Sequence, residues 1–219
     1  MDNITWFGHA SFLITDTNGK KIYFIDPYQL PELGPQKADL IFITHAHQDH
    51  LSLGDINNIL KPETTVIATS DSLAALNVPD SQKFHVSPNQ EYELQGVKFE
   101  TVPAYNTHPD KLNFHPESNH WVGYILDVNG QKIYHAGDTD FIPEMKKFAS
   151  KNLDIAMLPM GGGYTMDVDE MIEAANAIAA KTTIPMHYRG LLKDKAGEAE
   201  EKLKVGVKNS KVLILDEVS

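Results

Sequence analysis

The chain has 219 residues, 42% of them hydrophobic and 22% charged, which is the profile of a globular domain able to bury a sizeable core. Its formal charge of −11 argues against a nucleic-acid groove, which needs a basic stripe, and favours a small-molecule substrate. The absence of cysteine excludes disulfides and thiolate metal sites, so any metal falls to the ten histidines and to Asp and Glu.

Taken in chain order, the N-terminus shows no basic, apolar, small-residue signal segment, and no run approaches the roughly 20 apolar residues of a membrane span. Cytoplasmic residence is the expectation. Ile4 to Phe7, Ser11 to Thr15 and Lys21 to Ile25 read as strands, the last two joined by a turn at Asp16-Thr17-Asn18-Gly19. His9 lies between the first two, and Asp26-Pro27 ends the third. Leu40 to Ile43 is a short apolar run that reads as a buried strand, and Thr44 to His50 then offers His45, His47, Asp49 and His50 within six residues. On extended backbone His45 and His47 face the same side, while Asp49 and His50 follow as the chain turns towards a helix. This spacing suits two metals. Zinc, manganese and iron all accept such ligands, and two ions about 3.5–4 Å apart can share a bridging hydroxide nucleophile.

Gly54 to Leu60 carries a helix pattern, Thr65 to Ala68 a strand and Asp71 to Leu76 a capped helical turn. Strands follow at Lys83 to Val86, Glu91 to Leu94 and Val97 to Val102. The stretch from Pro103 to His120 has no period, and an irregular segment of that length in a compact domain is usually functional. Trp121 to Val128 and Lys132 to His135 form a hairpin across Asn129-Gly130, closed by Gly137-Asp138-Thr139-Asp140. A helix over Phe141 to Ala149 and a strand over Ile155 to Leu158 lead to the Gly161-Gly162-Gly163-Tyr164 loop. Asp167 and Glu170 then match a capping box before a helix whose apolar face is Val168, Met171, Ile172, Ala175, Ile178 and Ala179. Thr183 to Met186 is the strand that delivers His187. If the backbone stays extended, Arg189, the single arginine, faces the same side and could hold a carboxylate or phosphate of the substrate; plain surface charge is the equal alternative. A charged helix over Lys193 to Val205 and a strand over Val212 to Leu215 complete the chain.

The His45-x-His47-x-Asp49-His50 pattern resembles the second motif of the metallo-β-lactamase superfamily, and further stretches match it along nearly the whole chain. The likeness is greatest to its small metal-dependent hydrolases, a branch that includes ascorbate-6-phosphate lactonase. The resemblance implies an α/β, four-layer αββα sandwich with two mixed sheets and helices outside. It implies one domain over 1–219 built of two similar halves, roughly 1–102 and 103–219. By the same resemblance His45, His47 and a third-motif group bind a first metal, Asp49, His50 and His187 a second, and Asp138 bridges both. The third motif departs from the pattern: Asn106 stands after Pro103-Ala104 where many relatives carry a histidine. His115, in Phe114-His115-Pro116, is expected at the site as third ligand or substrate contact, and His108 and His120 in solvated loop.

Asp26, His9 and His135 are expected to support the ligands from behind. The expected function is hydrolysis of a small ester, lactone or phosphoester by two divalent ions, zinc before manganese or iron. Asp49 and Asp138 would be catalytic, and Arg189, Asn106 and Tyr164 would touch a small, anionic substrate. The alternatives are a small-molecule or phospholipid phosphodiesterase and a catalytically degenerate metal-binding module. The composition is equally compatible with a homo-oligomer.

Overall fold

Antiparallel strands followed by parallel crossovers occur twice in the computed structural model, which describes residues 3–16, 21–34 and 36–218. The expected turn at Asp16-Thr17-Asn18-Gly19 falls largely outside the described residues. The chain forms two compact units, Met1–Ser87 with Asp216–Ser219, and Pro88–Leu215. The halves therefore divide at Ser87, earlier than the expected boundary near residue 102. The reason is pairing: the strands at Gln90–Leu94 and Val97–Pro103 belong with the sheet that follows them.

In the first unit, β1 (Ile4–Trp6), β2 (Phe12–Thr15) and β3 (Ile22–Ile25) pair antiparallel, and β4 (Leu40–Phe42), β5 (Thr65–Ala68) and β6 (Lys83–His85) add parallel strands in chain order. Period-2 alternation assigns the faces. Leu13, Phe24, Ile41 and Val66 join one core cluster with Ile56 and Ile59 of α1 (Leu53–Ile59) and Leu73 of α2 (Ser70–Ala75). Ser52 caps α1 by accepting the Asp55 N–H. Phe12, Ile14, Ile25, Leu40 and Phe42 on the other face are also buried, so both faces of these strands are covered.

The second unit repeats the plan. β7 (Gln90–Leu94), β8 (Val97–Pro103), β9 (Val122–Val128) and β10 (Gln131–His135) form an antiparallel meander, and β11 (Ile155–Pro159), β12 (Thr182–Met186) and β13 (Lys211–Val212) extend it in parallel. α3 (Val168–Ile178) buries Met171, Ala174, Ala175 and Ile178. Ala179, expected on that face, is its exposed, left-handed C-cap. The helix expected from Phe141 is a 3₁₀ segment at Pro143–Lys151, which starts at the proline because Pro lacks an N–H to lose. α4 (Arg189–Leu192) and α5 (Ala196–Gly206) follow β12.

Strand directions decide where the chemistry lies. β1, β3 and β4 run the same way, so His9, Asp26 and the 44–50 segment leave from one end of the first sheet. β8, β10, β11 and β12 likewise share a direction, which brings the 104–120 loop, Asp138, the 161–164 loop and His187 to one end of the second. Carboxyl ends of parallel strands are where α/β folds place their sites.

Candidate metal centre

In the first unit the imidazoles are set by a buried proton ledger that begins at Asp26. Its carboxylate is wholly buried and accepts the Thr44 N–H at 2.8 Å and the Thr44 hydroxyl at 2.7 Å. It also accepts from His50 Nδ1 at 2.8 Å. His50 thus carries its proton on Nδ1 and presents a bare Nε2. The Thr44 hydroxyl has given its one proton to Asp26, so at 2.9 Å from His45 Nδ1 it must accept. His45 is therefore fixed in the same tautomer, with a bare Nε2 that lies 3.0 Å from His47 Nδ1.

Asp49 stands further out, its side chain 41% exposed, with Oδ2 3.0 Å from His9 Nε2. His9, Asp49 and His50 each bring an atom to within 4.8 Å of one another. His9 and Asp26 hold left-handed backbone, φ 50° and 45°. A cleft of about 750 Å³ adjoins the segment, lined by Tyr28, Ala46, Gln48, Asp49, Leu53 and Ala75 among others.

In the second unit Asp138 is the hub. Its Oδ2 lies 3.1 Å from His187 Nε2 and 3.3 Å from His115 Nε2, and all three residues are at most 4% exposed. Asn106, at the third-motif position, is hydrogen-bonded to His115. The Asn106 amide donates to the Tyr164 carbonyl at 3.0 Å, so its oxygen is the atom 2.8 Å from His115 Nδ1, and it accepts. His115 therefore donates from Nδ1, and its Nε2 is directed at Asp138. A lone pair aimed at a carboxylate oxygen is repulsive unless a cation or proton lies between them. Asn106, expected at the substrate, holds His115 Nδ1 and the Tyr164 carbonyl.

His135, buried on β10, accepts the Gly137 N–H on Nδ1 at 3.2 Å and shapes the turn into Asp138. His187 sits at φ 55°, and a Cβ on Gly161 would collide with its carbonyl, so that loop must carry glycine there. The backbone after His187 does not stay extended as expected but turns into α4. The Arg189 guanidinium bonds Glu200 Oε1 and the Leu215 carbonyl instead, and lies over the Tyr188 ring.

The irregular loop is held by a group the sequence reading passed over. Asp140, wholly buried, accepts the Thr107 and His108 N–H groups at 2.8 and 2.9 Å and the Lys111 ammonium at 2.8 Å. Lys111 also donates to the Thr165 carbonyl at 2.8 Å and lies 3.4 Å from Glu170. Burial opposes its charge, but the hydrogen bond and charge of Asp140, with Glu170 behind, hold its pKa above the ordinary 10.5. Glu170, expected to close a capping box, uses its other oxygen on the Phe141 N–H at 2.8 Å; Asp167 alone caps α3. His108 and His120 are exposed, as expected of solvated loop.

Imidazole and carboxylate donors, with no sulfur, suit zinc, manganese or iron, and carboxylate or hydroxyl partners behind His45 and His50 are what metal-bound imidazoles require. Buried His and Asp loops at the carboxyl ends of parallel strands, in an α/β chain of two mixed sheets, define a protein of the metallo-β-lactamase fold. The description of the β-lactamase superfamily domain matches residues 3–187, and the chain belongs to that superfamily.

Among its relatives, a UPF0173 metal-dependent hydrolase of Thermoplasma acidophilum is 36% identical over 193 residues, covering 84% of this chain and 82% of that one. Another, of Pyrococcus furiosus, is 34% identical over 228 residues, covering 98% and 96%. A crystal structure from Parabacteroides distasonis superposes with a TM-score of 0.83 at 34% identity, covering 99% of this chain and 93% of that one.

Proposed function

We propose that this chain is a metal-dependent hydrolase whose ligands are His45, His47, Asp49, His50, His115, Asp138 and His187, holding two divalent ions. The observation that carries the reading is the shared orientation of three imidazoles, each with Nδ1 turned to a hydrogen-bond partner and Nε2 turned away from it. Asp26, Thr44 and Asn106 are the Nδ1 partners of His50, His45 and His115, so that each offers its Nε2. The superfamily and the metal-dependent hydrolases among the relatives support the same reading. When bound, the ions supply Lewis acidity and lower the pKa of a coordinated water to near neutrality.

The chain's own groups do the rest. Asp138 directs one carboxylate oxygen towards both His115 and His187 and neutralises charge there. Asp49 Oδ2, reachable by solvent and steadied by His9, can accept the proton that water loses. The substrate class proposed is a small ester, lactone or phosphoester. Its anion finds no support from Arg189, whose charge is taken by Glu200. The role of Asn106 favours this reading over that of a degenerate module, because the third motif is completed by a pair of residues.

The test is metal content per chain after purification without chelator, followed by turnover on a lactone panel and a generic phosphodiester. Two equivalents of zinc, manganese or iron with metal-dependent turnover are expected. No metal even after reconstitution would overturn the reading. Turnover of the diester alone would leave a phosphodiesterase.

A further inference from the structure

Phe114 and Tyr164 meet edge to face, ring centroids 4.7 Å apart at 86°, although 50 residues of chain separate them and both rings are partly in solvent, 39% and 45% exposed. Leu112, two residues before Phe114, is 45% exposed, and Leu191, 38% exposed, rests against Gly161 on the loop that carries Tyr164. Phe114, Tyr164 and Leu191 stand beside the metal-ligand candidates of their unit. Phe114 precedes His115, the Tyr164 carbonyl holds Asn106, and Gly161 abuts His187. A buried core would have no use for aromatic rings left half in water at the point where the donors emerge.

We propose that this rim, with Phe114 and Tyr164 as its walls, is a subsite for an uncharged aryl or alkyl group of the substrate. The proposal rests on the metal-dependent reading above and narrows its substrate class from anionic to apolar. Charge bears on it: of the three cations within two residues of the rim in sequence, Lys111 and Arg189 are bound by Asp140 and by Glu200, and Lys193 points to solvent. Size supports it too. Four side chains of at most about 200 Å² each, 38–45% exposed, present no more than about 330 Å², well under half of the roughly 800 Å² that one partner of a stable protein interface buries. A phenyl or short alkyl group is matched to that area, and the T-shaped pair leaves a ring face for it to stack on.

The test is calorimetric titration of the zinc-loaded full chain with acetohydroxamate, phenylacetohydroxamate and the monohydroxamate of succinate, which share one chelating head. The phenyl compound is expected to bind about tenfold more tightly than the methyl one, and the carboxylate compound no better than the methyl one. In Phe114→Ala and Tyr164→Ala the phenyl-to-methyl affinity ratio is expected to fall towards one, with zinc content measured alongside. Equal affinity for all three, preference for the carboxylate compound, or a ratio that survives both substitutions would overturn the subsite and leave the metal reading intact. Binding of none of them by zinc-loaded protein would overturn both.

Discussion

Replacing Lys111 by methionine removes one ammonium from a place where a carboxylate cannot do without it. Asp140 is wholly buried and would keep only the Thr107 and His108 N–H groups. Breaking a buried ion pair from one side costs about 3–5 kcal/mol. Because the Lys111 side chain retains 13% exposure, about 3 kcal/mol is expected. In a chain of this length that is a fall in Tm of about 6–12 °C. The folded pKa of Lys111 lies above its unfolded value, so the stabilisation is complete below about pH 10.5 and is lost as pH rises through the folded value. Between wild type and variant the difference should therefore be flat across neutral pH.

Calorimetry combined with amide exchange tests this. The Thr107 and His108 amides, whose acceptor is Asp140, should exchange faster than the β9 amides, which should change little. The double variant Lys111→Met/Asp140→Asn removes both charges and should recover more than half of the loss. A single variant within about 2 °C of wild type, with unchanged protection at Thr107 and His108, would refute the idea that this pair holds the loop.

Asp26→Asn should lower zinc affinity by about 10–100-fold, measured by competition with a chelator, since His50 and the Thr44–His45 pair lose their common acceptor. Gly161→Ala should weaken zinc binding and destabilise the fold by about 1–3 kcal/mol, seen in urea unfolding, as its Cβ meets the His187 carbonyl. For Asp154, burial raises the pKa, but hydrogen bonds from Lys181 and the Lys132 N–H outweigh it and hold the carboxyl below 3.8. Asp154→Asn should cost about 1 kcal/mol at neutral pH. The sign follows from the depressed pKa: the difference is present above pH 3.8 and disappears as pH falls through the lower folded value.

His45 to His50 could be read from sequence because four donors lie within six residues, and chemistry that local needs no tertiary information. Asp138 and His187 were legible only through resemblance, since a lone Asp or His at a strand end has ordinary structural uses. His115 was singled out only by the resemblance of its Phe-His-Pro setting, and it lies 3.3 Å from Asp138. The part of Asn106 was not legible, because it depends on the Tyr164 carbonyl 58 positions away. The Lys111–Asp140–Glu170 cluster was hidden for the same reason, and Glu170 was masked by a local pattern, the capping box, that tertiary demand overrode. Arg189 was misplaced by the assumption of continuing extended backbone, which the left-handed turn at His187 defeats. The strands were visible in their period and β-branched content, whereas the division at Ser87 depends on which sheet β7 and β8 join.

His9, Asp26 and His187 all adopt the left-handed conformation that glycine tolerates best. For other L-residues it costs about 1 kcal/mol each. At these strand ends the interests of the fold and of the chemistry point in opposite directions. A chain selected for thermal endurance without its metal would drift towards glycine or asparagine at all three positions and would lose its donors as it did so. Selection for stability in this protein is thus a route to losing activity, and variants recovered from such a screen should be checked first at residues 9, 26 and 187.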